Sequence, residues 1–170
     1  PDAPTQDASN VFSIFSDAYV SSVSAFTPVT FNNSTLQANV STISGDQIIR
    51  YDNLVFVGIG WDGSIDVSSY GTLHLDIQVE DSFNPSGGGI QIELAESGGN
   101  AGGFLIDGSR LTTGSWVSID IPINGFTRGT GGGGTGNPNL SQIVSLGFVP
   151  EQGSSDLISS VLIDNVYFYK

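Results

Sequence analysis

The single histidine, His74, stands in an alternating stretch with Asp76, Gln78 and Glu80, and these four side chains share one face of any strand formed by residues 72–80. An imidazole, two carboxylates and an amide in a row could serve acid/base chemistry or act as hydrogen-bond partners. Two-carboxylate hydrolysis needs a pair of acids about 5 to 10 Å apart on one concave face. The chain has only four glutamates, Glu80, Glu93, Glu96 and Glu151. Glu93 and Glu96 are three apart, so a period of two sends them to opposite faces of a strand. Glu93 or Asp120 could join Asp76 and Glu80 only from neighbouring strands, and a hydrated outer face explains the same pattern. A serine triad would have to use His74, but no nucleophile-elbow motif is present. Gly129, Gly131 and Gly134 satisfy G-x-G-x-x-G literally. They follow Phe126-Thr127-Arg128 and run into Pro138, with no helix to aim amides at a phosphate.

A different chemistry is suggested near the chain ends. Asp17 follows the apolar stretch at residues 11–15, and Asp164 interrupts residues 162–168, where Leu162, Val166 and Phe168 are expected on its face. A carboxylate among apolar neighbours needs a partner or a cation. The 17 acidic residues face only four basic ones, Arg50, Arg110, Arg128 and Lys170, so salt bridges cannot satisfy them all. Calcium takes six to eight oxygen ligands, carbonyls included, and the Gly45-Asp46 turn could add some. The expected structural Ca2+ site is therefore Asp17, Asp46 and Asp164. The alternative is that Asp164 hydrogen-bonds backbone amides.

The elements that would position these groups are strands. Alternation is clearest at residues 72–80 and recurs at 90–94, 117–121, 143–148 and 162–168. With residues 11–15, 36–43 and 48–61 this predicts eight to ten strands in an all-β, two-sheet antiparallel β-sandwich of the jelly-roll type. Helical turns are expected only near residues 64–70 and 137–142. Glycine-rich loops are expected at residues 84–89, 97–103 and 129–136. At 170 residues this is one domain, residues 7–170, preceded by a linker at residues 1–6. Cysteine is absent, which removes disulfides and thiol chemistry. A net charge of −13 disfavours nucleic acid and anionic lipid as partners. No apolar run reaches the about 20 residues of a membrane helix. The chain starts at Pro1 without a leader and reads as a mature or excised segment of a secreted or cell-surface bacterial protein.

Four stretches carry a family likeness. Gln6-Asp7-Ala8-Ser9-Asn10-Val11 leading into Ile14-Phe15-Ser16-Asp17-Ala18-Tyr19, then Leu73-His74-Leu75-Asp76, then Gly114-Ser115-Trp116-Val117-Ser118-Ile119-Asp120-Ile121-Pro122, and the closing Ile163-Asp164-Asn165-Val166-Tyr167-Phe168-Tyr169 resemble β-sandwich carbohydrate-binding modules. Such modules belong to secreted or surface polysaccharide-utilisation proteins, notably of marine Bacteroidetes. The resemblance implies a jelly roll with structural calcium near the first and last strands, and a polysaccharide ligand. Relatives often carry a tryptophan after the Asp-Ala-Tyr segment, where this chain has Phe26-Thr27-Pro28-Val29-Thr30-Phe31.

Sugar rings pack their C–H face on aromatic planes and offer hydroxyls to polar side chains. Candidate platforms are Trp61, Tyr70, Trp116, Phe31 and Phe104, with Trp116 and Trp61 equally readable as framework or core. The row His74, Asp76, Gln78 would supply hydroxyl partners if its sheet is the concave one, extended by Gln91 and Glu93. The expected function is a non-catalytic, monomeric module that targets a parent multidomain enzyme or surface protein to a neutral β-glucan such as laminarin. The alternatives are a small glycoside hydrolase or polysaccharide lyase using acids on the concave face, and an adhesion or spacer domain.

Overall fold

The computed structural model describes residues 1–31, 38–52, 54–80, 88–151 and 160–170. Among them are eleven strands: β1 (Val11–Phe15), β2 (Thr27–Thr30), β3 (Ala38–Ile43), β4 (Asp46–Asp52), β5 (Val57–Ile65), β6 (Thr72–Val79), β7 (Gly89–Glu96), β8 (Ala101–Asp107), β9 (Trp116–Pro122), β10 (Ile143–Pro150) and β11 (Ser160–Tyr169). One sheet has the order β3-β4-β11-β6-β9, with β1 also on β11, and the other the order β2-β5-β10-β7-β8. Neighbouring strands are antiparallel throughout both sheets. The result is an all-β jelly-roll sandwich.

Alternation builds the core between the sheets. Leu73, Leu75 and Ile77 of β6 and Ile163 and Phe168 of β11 meet Ile59 of β5, Ile92 of β7 and Phe148 of β10 in one buried cluster. Removing these side chains from water supplies the drive for closure, about 25 cal/mol for each Å² of apolar surface.

Several expected elements differ. Residues 48–61 form parts of two strands in different sheets, β4 and β5, because the chain crosses from one layer to the other between them. Residues 64–70 continue β5 to Ile65 and then turn, and residues 137–142 turn without a helix. The expected loop at 97–103 is a short hairpin whose second half already belongs to β8. Gly102 is needed there for close approach: a Cβ would stand 2.3 Å from the Phe126 carbonyl oxygen. Parts of three expectations, residues 36–37, 53 and 84–87, lie outside the described residues.

The last strand contains the decisive irregularity. Its pairing with β6 shifts between Asp164 and Tyr167, and Asn165 there adopts φ 49°. This bulge resets the alternation. Ile163, Val166 and Phe168 face the core, whereas Asp164 pairs across to Asp76 on the outer side. The expectation that Asp164 shares a face with Val166 and Phe168 is corrected accordingly. On one side of β11, β4 pairs before the bulge and β1 after it, so both strands converge at Asp164-Asn165.

Candidate functional site

The outer faces of the two sheets are chemically opposite. On the five-stranded sheet the outward positions are small. Register aligns Thr27, Gly60, Ser145, Ala95 and Ala101 in one row, and Val29, Gly58, Gly147, Glu93 and Gly103 in the next. Side chains this short leave a trough of about 180 Å³, whose lining includes Phe31, Phe56, Glu93, Ser145, Gly147 and Thr130. Phe31 and Phe56 pack on each other with ring centroids 4.8 Å apart. Their rings lie over the glycines: a Cβ on Gly58 would stand 2.7 Å from Phe31, and one on Gly147 would stand 3.2 Å from Phe56. The glycine-rich stretch 129–134, closed by hydrogen bonds between Thr130 and Gly134, supplies the opposite wall.

Gln91 and Glu93 lie on this face. Gln91 Nε2 donates to Glu93 Oε1 at 2.8 Å and also reaches the Gly129 carbonyl at 3.3 Å. Burial pushes the Glu93 carboxyl above its ordinary range, partly opposed by the Gln91 hydrogen bond.

The six-stranded sheet carries the polar row His74, Asp76 and Gln78 on its outer side, and these residues are not on the face of Gln91 and Glu93. The single row expected from sequence is thus split between opposite surfaces of the sandwich. Asp76 is 2% exposed and already satisfied, accepting from Ser118 Oγ and from Asn165 Nδ2 at 2.8 Å. His74 Nδ1 lies 2.8 Å from Asp120 Oδ1, and its Nε2 is 3.6 Å from Asp76. The imidazole stacks on Tyr167 with centroids 4.7 Å apart. Burial opposes protonation of His74, but the hydrogen bonds and charges of Asp76 and Asp120 prevail and raise its pKa. For Asp76 burial likewise opposes ionisation, and the partners His74, Ser118 and Asn165 hold its carboxyl below the usual range. Residues 2–6, expected as linker, line this polar pocket from above. Asn165 Nδ2 reaches the Asp2 carbonyl at 3.4 Å, and Tyr19 donates its hydroxyl to the Gln6 carbonyl at 2.7 Å.

Beside this pocket, where β1 and β4 converge on β11, Asp17, Asp46 and Asp164 line one cavity of about 240 Å³. Asp17 Oδ2 accepts from the Gln47 amide at 2.9 Å, and burial, reinforced by the neighbouring Asp17, raises the pKa of the Asp46 carboxyl. Asp164 is buried, and desolvation drives its pKa up to about 7, helped by the charge of Asp46, while the Asn165 amide and the Pro1 amine pull the other way. The donors are all oxygen, which suits a hard cation. Among the described residues no three acidic or histidine side chains stand at metal-holding geometry.

The aromatic candidates scatter. Trp61 packs in the core and its buried Nε1 has no hydrogen-bond partner, so its face is not open to a ligand. Tyr70 sits edge-on to Phe12 at 6.0 Å, under Lys170. Trp116 pairs across to Gln78 on the six-stranded sheet. Phe104 is half-buried against Phe126. Phe31 alone of these five lines the trough, with Phe56, which the sequence reading passed over. The signal for the trough was the spacing of Gly58 and Gly60 around Ile59, repeated as Gly147 between Leu146 and Phe148.

These features belong to a β-sandwich with one open, small-residue face. No family model and no curated protein matches the chain. Among solved structures it is similar to the family 11 carbohydrate-binding module of the cellulosomal cellulase Lic26A-Cel5E of Clostridium thermocellum, with TM-score 0.57 and 17% identity over 85% of this chain and 86% of that one. It is also similar to part of an exo-β-agarase (TM-score 0.56, 15% identity, 84% of this chain and 22% of that one). A second agarase, AgWH50C, gives TM-score 0.55 and 14% identity over 95% of this chain and 24% of that one. The likeness is one of fold. Among the described residues no helix is long and apolar enough to cross a membrane.

Proposed function

We propose that this chain is a non-catalytic carbohydrate-binding module whose ligand lies in the trough on the five-stranded sheet. The observation that carries this reading is the pairing of a glycine-, alanine- and serine-paved floor with the Phe31 and Phe56 rings, which leaves room for a sugar ring against an aromatic surface. Glu93 is the one acid among the described residues lining the trough, and none of these supplies the second group that the two-carboxylate chemistry of a hydrolase needs. The likeness to a cellulase's binding module and to about a fifth of an agarase chain supports an appended, extracellular module of a polysaccharide-degrading or surface protein. The ligand is a neutral polysaccharide, with a β-glucan such as laminarin as first choice.

Affinity electrophoresis in laminarin, agarose and alginate tests this. Retardation by a neutral chain, unchanged between low and high salt, is expected, because stacking and uncharged hydrogen bonds are little screened. Retardation by alginate alone, or new reducing ends formed by the purified chain, would refute the reading.

The Asp17, Asp46 and Asp164 carboxylates would hold a structural calcium ion, whose positive charge would offset the buried Asp164 and its two acidic neighbours at the junction of β1, β4 and β11. At free calcium 100-fold above its dissociation constant, the ion would stabilise the fold by about 2.7 kcal/mol. The melting temperature should therefore fall on adding chelator to calcium-loaded protein. An unchanged value would remove calcium from the account.

A further inference from the structure

Glu93 is the one trough-facing acid whose two cross-strand neighbours are both glycine, Gly147 on β10 and Gly103 on β8. It is 5% exposed, yet it lines the open trough. A Cβ on Gly103 would stand 2.6 Å from Gln91 Cδ and would displace the Gln91 side chain that holds Glu93, whereas one on Gly147 would meet Glu93 Cβ at an ordinary contact distance of 3.4 Å and press on Phe56 at 3.2 Å. Gln91 holds one carboxylate oxygen, and the other lies over the trough floor, 3.8 Å from where the Gly147 Cβ would be. The ion pairs among the described residues use Arg50, His74 and Arg128, and none includes Glu93. Arg128 at the trough rim is bound to Glu151 at 2.7 Å.

Among the described residues no donor reaches the second oxygen of this nearly buried carboxylate, which is open to a donor entering the trough. Ionised, it is acceptor-only. Hydrogen bonds to it from hydroxyls are charge-assisted and stronger than neutral ones. A second anion brought to the same place has no donor to offer and no cation to neutralise it.

We propose that Glu93 is the specificity-determining residue of this trough: it accepts free hydroxyls of an uncharged sugar ring and rejects rings carrying carboxylate or sulfate at that position. This rests on the polysaccharide reading of the trough. The flanking glycines serve the same end by letting the ring descend to the carboxylate.

Calorimetric titration of the wild-type chain with laminarin, cello-oligosaccharides and agaro-oligosaccharides, beside alginate and carrageenan oligosaccharides, tests it with two variants. Glu93→Gln keeps the shape and the Gln91 contact but loses the charge and one acceptor. It should weaken the preferred neutral ligand about tenfold, about 1.4 kcal/mol, and narrow the gap to the anionic oligosaccharides, with the melting temperature held or raised. Gly147→Ala raises the floor beside Glu93 and should cost severalfold in affinity with the charge intact. If the wild type binds no glycan, the polysaccharide reading fails. If it binds a neutral chain but Glu93→Gln stays within twofold with selectivity unaltered, the assignment of Glu93 fails while that reading stands. Tighter binding to chitosan oligosaccharides, abolished by salt, would overturn the uncharged-ligand assignment.

Discussion

The two outer faces of this sandwich divide polar chemistry and open space between them. The six-stranded sheet holds His74, Asp76, Ser118, Asp120 and Asn165 in contact, and residues 2–6 lie over them. The five-stranded sheet presents mostly Gly, Ala and Ser, with one acid and two phenylalanines, and lies open. A row of polar side chains is therefore a poor guide to a binding face when its members satisfy one another. Binding needs unspent valence and room. Asp76 lines a pocket of about 230 Å³ but lacks the first, since its oxygens already accept from Ser118 and Asn165. Glu93 has both.

The largest expected effect that would sharpen this contrast is on stability at the polar face. Asp76→Ala removes a buried acceptor from Ser118, Asn165 and His74, and should cost about 3 kcal/mol of folding free energy, measured by urea titration. Glycan affinity measured on the folded fraction should stay the same. Loss of binding with intact stability would place the ligand on the six-stranded sheet instead.

At the trough the pattern should invert. Phe56→Ala should reduce glycan affinity about tenfold, the ~1.4 kcal/mol of one aromatic contact. Because Phe56 is only half-buried, its urea midpoint should move less than that of Asp76→Ala. An unaltered dissociation constant would remove the Phe31–Phe56 wall from the site.

The smallest effect is the pH dependence that the polar face contributes. His74 has a folded pKa raised above 6.5, so its contribution is full below about pH 6.5 and is lost as pH rises through the folded value. Asp76 has a folded pKa below 3.8, so its contribution is present above that value and lost as pH falls through the folded one. Replacing His74 with Gln should flatten the stability profile on the alkaline side of pH 6.5 and leave glycan binding at neutral pH unchanged. A wild-type profile with no fall above pH 6.5 would show that the His74 contacts with Asp120 and Asp76 add nothing to folding.

Sequence alternation by itself determined the all-β jelly roll and most of its buried residues, because a period of two with Leu73, Leu75 and Ile77 on one side fixes which face meets the core. The surplus of acids over basic residues also pointed to Asp17, Asp46 and Asp164 as oxygen donors, although alternation placed Asp164 on the wrong face; the three line one cavity. Which sheet each strand joins was decided only by tertiary structure. Alternation states that His74 and Gln91 both point outward, yet it carries no information on whether they point outward on the same layer. The bulge at Asn165 is equally invisible to periodicity: one inserted residue with positive φ reverses the alternation after it, turning Val166 and Phe168 to the core and leaving Asp164, just before it, on the opposite, outer face. The trough followed from lateral register, which set Gly58, Gly147 and Gly103 in line with Glu93 across four strands, of which only β7 and β8 are neighbours in sequence. Single residues of glycine read along the chain as punctuation, and only their alignment through backbone hydrogen bonds turns them into a floor.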